Sequence, residues 1–176
     1  CVEVCVPACG GSNKCRQMEQ ELSRALGAPM RRASHECGAA GALCALQFYQ
    51  VRSMRVVCAG AQKARDGVCG DSCAWQSLGE QGYMMAISDG MGTGGSAAID
   101  SALASNLLSR LIDAGIEADT ALKMTNSALL VKSGEESLAT VDLAEIDLYT
   151  GQVHFCKAGA APTFVLKGGR SGYIES

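Results

Sequence analysis

A chain of 176 residues with 48% hydrophobic side chains and 3 prolines has the length and apolar content to close a globular core, which excludes a disordered tail. Lys and Arg number 15 against 18 Asp and Glu, a net charge of −3, so the overall charge draws it neither to nucleic acid nor to an anionic membrane, and Arg31 and Arg32 read as a solvated pair. The longest apolar run, Ala39 to Leu46, is far shorter than the ~20 residues that span a bilayer, and the N-terminus lacks a signal peptide's basic start and apolar core; the chain reads as cytosolic or as the soluble part of something longer, either end being a candidate fragment boundary.

In chain order, residues 1–40 are weakly patterned and read as an appendage or linker. They hold one helix candidate, "CRQMEQELSRALG", in which Met18, Leu22 and Leu26 recur every four positions and Gly27 supplies the stop. From Leu43 the pattern changes. "LCALQFYQVRSMRVVCAGA" contains two β-like runs parted by a polar stretch at Arg52 and Ser53, a hairpin or two adjacent strands. Turn signals at Asp66-Gly67, Gly70-Asp71 and Gly79 to Gly82 lead to the strand "YMMAISD".

After a glycine cluster, "SAAIDSALASNLLSRLIDAG" places Ile99, Leu103, Leu107 and Leu111 or Ile112 at helical spacing and closes on Gly115. A second helix, Ala118 to Lys132, buries Ala121, Leu122, Thr125, Ala128 and Leu129 on one face, and "KSGEES" ends it. "LATVDLAEIDLYTGQVHFCKAG" then reads as two strands around a "YTGQ" turn, and "APTFVLKGG" as a third. Strands, two helices and strands again argue for an α+β class in which helices cover an antiparallel sheet.

Ten cysteines divide into two sets. Cys37, Cys44, Cys58, Cys69, Cys73 and Cys156 sit in apolar segments and read as reduced, small hydrophobic residues. Cys1, Cys5, Cys9 and Cys15 are spaced irregularly for zinc, so unpaired thiols are the default and a metal or Fe–S role the alternative.

Two carboxylates carry the candidate chemistry: Asp71 in "VCGDSCAW" and Asp89 in "AISDGMGTGG", each beside glycine at a strand edge. Mg²⁺ and Mn²⁺ favour such a mount, because they take carboxylate and carbonyl oxygens and keep room for water. Taken singly, each fits a tight turn or a helix N-cap as well. A phosphate-cradling loop fits less, since "GMGTGG" has neither the P-loop lysine nor dinucleotide spacing.

These stretches, with "YMMAISDGMGTGGSAAIDS" and "SLATVDLAEIDLYTGQVHFCKAGAAPTFVLKGG", resemble the metal-dependent PPM/PP2C serine/threonine phosphatases, and within them the stage II sporulation protein E phosphatase domains, from about Leu43 to Gly169. The resemblance implies a PP2C-like antiparallel β-sandwich flanked by helix pairs in α-β-β-α layers, C-terminally incomplete here, with residues 1–40 a regulatory linker and 41–176 the phosphatase part. It implies two Mn²⁺ or Mg²⁺ ions, Asp71 as a ligand of one, Asp89 bridging both and Gly90 giving its backbone carbonyl, with two further aspartates in motifs past the hairpin that would lie beyond Ser176. The implied substrate is phosphoserine on a phosphorylated anti-anti-sigma factor, whose dephosphorylation promotes sporulation sigma-factor activation. The implied whole protein self-associates and is held at the cytoplasmic face of the membrane by an N-terminal region absent here. Cys69 stands where relatives usually have serine, and Gly95 and Ser96 where they often have a charged residue. A catalytically incomplete phosphoprotein-binding module with the same fold is the alternative. His35 and His154 read as structural, as does Trp75.

Overall fold

In the computed structural model, which describes residues 1–7, 12–36, 43–64, 67–92, 94–132 and 139–176, the chain divides into two compact units, Cys1–Arg55 and Val56–Ser176.

The first unit holds β1 (Val2–Val6), α1 (Ser12–Leu26), β2 (Met30–Glu36) and β3 (Cys44–Gln50). β3 lies between β1 and β2, antiparallel to both. Alternation in "VEVCV" turns Val2, Val4 and Val6 inward, where they meet a core of Cys15, Met30, Cys44, Leu46 and Phe48 with Met18 and Leu22 of α1. The helix stops at Gly27, whose φ of +63° suits a residue without Cβ.

The unit runs to Arg55, because β3 is bonded between two strands of the N-terminal segment. Two expectations change here. That segment is a small αβ unit, and His35 lies in β2 rather than in an unpatterned linker. Cys15 belongs to the core and not with the exposed Cys1 and Cys5; Cys9 falls outside the described residues.

In the second unit β4 (Asp71–Leu78), β5 (Gly82–Asp89), β6 (Val141–Asp147) and β7 (Val153–Ala158) form an antiparallel sheet in that order. Two helices, α2 (Gly95–Asp113) and α3 (Ala118–Lys132), pack together, with α2 against β4 and β5. β8 (Thr163–Lys167) and β9 (Arg170–Ile174) form a separate hairpin. Met84 and Ala86 of β5, Val141 and Leu143 of β6 and Cys156 of β7 meet Leu108, Ile112, Ala118 and Ala121 from the helices. This is the antiparallel α+β class expected; of the implied layers, the described residues supply one helix pair, one four-stranded sheet and one hairpin.

The second β-like run before the sheet is not a strand: residues 51–64 take no regular secondary structure. Val57 there is exposed, while Gly60 lies so close to Trp75 that a Cβ would meet the indole at 2.9 Å. α3 buries Ala121, Thr125 and Leu129, with Leu122 and Ala128 half-buried, as its period predicts. The "KSGEES" stop falls mainly outside the described residues.

α2 departs from expectation. Ile99 and Leu103 are exposed, and the buried stripe is Ala97, Ser101, Ala104, Ser105, Leu108, Ser109 and Ile112. Small residues let the helix lie close to the sheet, and Gln76 of β4 reaches across to donate to the Ser109 carbonyl at 3.0 Å.

Candidate metal centre

The β4–β5 hairpin turns at Gly79, φ +57°, and its register runs from Leu78 opposite Gly82 to Asp71 opposite Asp89. Side chains alternate across a sheet, so Met84, Ala86 and Ser88 face the helices while Asp89 points to the other face. The two aspartates thus share one face at the open end of the hairpin. Like charges directly opposite oppose pairing. Partial desolvation at the strand end, then the charge of Asp71 and a hydrogen bond with its carboxyl, push the Asp89 carboxyl above its ordinary range.

The backbone that carries this pair is pinned. Thr140 bonds Asp89 twice: its N–H donates to the Asp89 carbonyl at 2.8 Å, and its Oγ1 accepts the Asp89 N–H at 3.1 Å. Gly90 N–H donates to the Gly70 carbonyl at 3.1 Å, and Gly90 bridges to Ala139. On β4, Gln62 Nε2 donates to the Asp71 carbonyl at 2.9 Å, and Cys69 Sγ lies 3.4 Å from Asp71 Oδ2.

Gly90 is a steric requirement and Gly70 a tight fit. A Cβ on Gly90 would sit 2.0 Å from the Ala97 carbonyl oxygen in the first turn of α2, and a Cβ on Gly70 would lie 3.3 Å from Ala97 Cβ and 3.5 Å from the Gly90 oxygen. Gly92 and Gly94, at φ +100° and +79°, then turn the chain into the helix.

For Asp89 this geometry removes two of the readings left open by the sequence. The N-cap of α2 is Gly94, so Asp89 is not a capping residue, and Gly90 continues the sheet into a bridge rather than closing a tight turn. Two carboxylates and a carbonyl at a rigid strand end are an all-oxygen donor set, which suits a hard divalent cation whose charge would offset the repulsion between the acids. Among the described residues no group of three or more His, Cys, Asp or Glu converges on such a point. A cavity of about 530 Å³ adjoins Asp89, lined also by Gly90, Met91, Asn126, Thr140 and Gly159. A larger one of about 640 Å³ lies at the opposite end of the sheet, by Leu78, Gly82, Asp147 and Val153, away from the paired aspartates.

The other marked residues lie apart from the pair. His154 on β7 is exposed, 3.7 Å from its cross-strand neighbour Glu145, and Trp75 lies half-exposed on the open sheet face. Sequence reasoning missed the parts played by Thr140, Gly70 and Gln62. Only Gly70 carried a signal, as the glycine preceding Asp71.

The profile of the family described as Stage II sporulation protein E (SpoIIE) matches residues 79–175. Stage II sporulation protein E of Priestia megaterium is 34% identical over 171 residues, covering 95% of this chain and 29% of that protein, so the chain spans less than a third of its relative. A solved structure of the PP2C phosphatase domain and a fragment of the regulatory domain of the cell fate determinant SpoIIE from Bacillus subtilis superposes with a TM-score of 0.72 at 29% identity, over 99% of this chain and 52% of that one. RsbX, solved in complex with magnesium, superposes at 0.55 and 22% identity over 65% of this chain and 55% of that one, a likeness of fold.

Proposed function

The chain belongs to the stage II sporulation protein E family and has the PP2C phosphatase fold, and from that premise we propose that it is part of a metal-dependent protein serine phosphatase. The observation that carries the reading is the Asp71–Asp89 register, which sets two acids opposite each other where a bound cation would relieve their repulsion. Asp71 would hold one Mn²⁺ or Mg²⁺ and Asp89 would bridge two, with the Gly90 carbonyl as a further oxygen donor. Magnesium in the fold relative RsbX is in keeping with that choice. When bound, two such ions lower the pKa of a water and neutralise phosphoryl oxygens.

The chain's own contribution is position. Thr140 holds the Asp89 backbone on both its N–H and its carbonyl, which fixes the strand end from which the carboxylate projects. The absence of side chains at Gly90 and Gly92 leaves the backbone approachable from the adjoining cavity. The substrate we propose is phosphoserine on an anti-anti-sigma factor, its hydrolysis promoting sporulation sigma-factor activation. The N-terminal unit is read as regulatory, and the longer protein as held at the cytoplasmic membrane face and self-associating.

The test is turnover by the full-length protein on a phosphoserine protein with Mn²⁺. Asp89→Asn and Asp71→Asn should each lower the rate by ~10² or more; an undiminished rate in Asp89→Asn would sink the mechanism. Phosphoprotein binding without turnover would favour the alternative, a catalytically incomplete binding module, for which the convergence of only two acids among the described residues speaks.

A further inference from the structure

Asp71 is exposed and begins its strand, so nothing in the pleat alone holds its carboxylate in one rotamer. Two residues earlier lies a thiol, Cys69, half-buried, with Sγ 3.4 Å from Asp71 Oδ2. The residue between them is immobilised. Gly70 accepts the Gly90 N–H on its carbonyl and lies close against Ala97, so the path from Cys69 to Asp71 is set by packing on α2. Apart from Asp89, no other described side chain bonds the Asp71 carboxylate.

Resting on the phosphatase reading above, we propose that Cys69 is a positioning residue of the candidate metal site: its thiol donates to Asp71 Oδ2 and leaves Oδ1 for a divalent cation shared with Asp89. A carboxylate has about four lone-pair sites, so one oxygen can keep the thiol while the other binds metal. Hydrogen-bond partners of ligating carboxylates orient them, and losing such a partner typically weakens metal binding ~10- to 100-fold. A thiol is a weak donor, so the effect here falls below that range, at ~3- to 10-fold. A stronger hydroxyl donor at the same position should serve as well.

The experiment is Mn²⁺ titration of the full-length protein, followed by calorimetry and by the electron paramagnetic resonance of free Mn²⁺, with far-ultraviolet circular dichroism to verify folding. Cys69→Ala should raise the Mn²⁺ dissociation constant ~3- to 10-fold. Cys69→Ser should restore it to within about twofold of the parent, and Cys73→Ala should leave it unchanged. If Asp71→Asn and Asp89→Asn weaken binding but Cys69→Ala does not, the inference about Cys69 alone fails. If those two aspartate variants bind like the parent, or the parent does not bind Mn²⁺, the site reading fails and takes the inference with it. If Cys69→Ser stays as weak as Cys69→Ala, the lost packing and not the hydrogen bond is responsible, and the inference is likewise overturned.

Discussion

Gly90→Ala tests whether the site end of β5 and the start of α2 are packed as closely as the structure shows. The added Cβ would sit 2.0 Å from the Ala97 carbonyl oxygen and 2.6 Å from its carbon, so the oxygen is roughly 1.4 Å short of the 3.4 Å at which ordinary contact begins. The obstacle is backbone and cannot rotate away. Overpacking a core costs ~1–3 kcal/mol, and a rigid neighbour places this change near the upper end, about 3 kcal/mol. For a chain of this length each kcal/mol moves the midpoint by ~2–4 °C, giving a loss of ~6–12 °C. Trp75, the only tryptophan, lies on β4 and reports on this unit alone by fluorescence during thermal unfolding. Gly95→Ala is the control: nothing lies within 4 Å of its added Cβ and its φ is not positive, so it should change stability by no more than ~1 kcal/mol. A Gly90→Ala transition within ~2 °C of the parent would refute the close approach of α2 to the strand end.

The Lys157 side chain is 3% exposed and its Nζ reaches Asp142 Oδ2 at 2.6 Å, Thr163 Oγ1 at 2.7 Å and the Ala161 carbonyl at 2.9 Å, with Thr163 also donating to Asp142. Lys157→Met should cost ~3 kcal/mol in urea unfolding, and Asp142→Leu added to it should recover part of the loss because the uncompensated carboxylate is gone. Asp147 accepts the N–H groups of Thr150 and Tyr149, which hold its carboxyl below the usual range. Its contribution is therefore present above the ordinary carboxylate value and lost as pH falls through the lowered one, so Asp147→Asn should be less stable than the parent at neutral pH, the gap closing below about pH 4 in a urea series. Burial, and then the Asp119 carboxylate 3.0 Å away, push the Cys156 thiol up to about 12. Iodoacetamide at pH 8 should label the exposed Cys1 and Cys5 and spare Cys156 by mass spectrometry; equal labelling in the native protein would contradict its burial.

Elements with one strong local signal were legible in the sequence. α3 was, because a single apolar face sets its period and Gly115, φ +84°, marks the preceding stop. The β6–β7 hairpin was, through the Gly151 turn at φ +74°. β2 was not: "MRRASHE" is mostly exposed and lacks alternation, and only its pairing with β3 makes it a strand. Residues 55–61 failed in the opposite way, since β-branched valines supply propensity but not a partner. α2 misled in its first half, because helical spacing of the large side chains picked Ile99 and Leu103, which are exposed, while the sheet accepts the small Ala97, Ser101 and Ala104, with Ala97 close against Gly90; Ile112 is buried as the spacing expected.

For the site, residue types were legible and register was not. Asp71 and Asp89 stand eighteen positions apart, and that separation alone says nothing about contact. Yet every pair of the β4–β5 hairpin is symmetric about Glu80, and both aspartates lie nine residues from it, so fixing the turn would have fixed the pair. The consequence is chemical. Moving either acid by one residue would put it on the other face of the sheet and end the repulsion. The structure keeps the acids opposed and clamps Asp89 through Thr140, while Gly90, beside it, has no room for a side chain. In the absence of a ligand such an arrangement opposes strand pairing, and a bound cation reverses its sign. That is the physical ground for reading this strand end as a site.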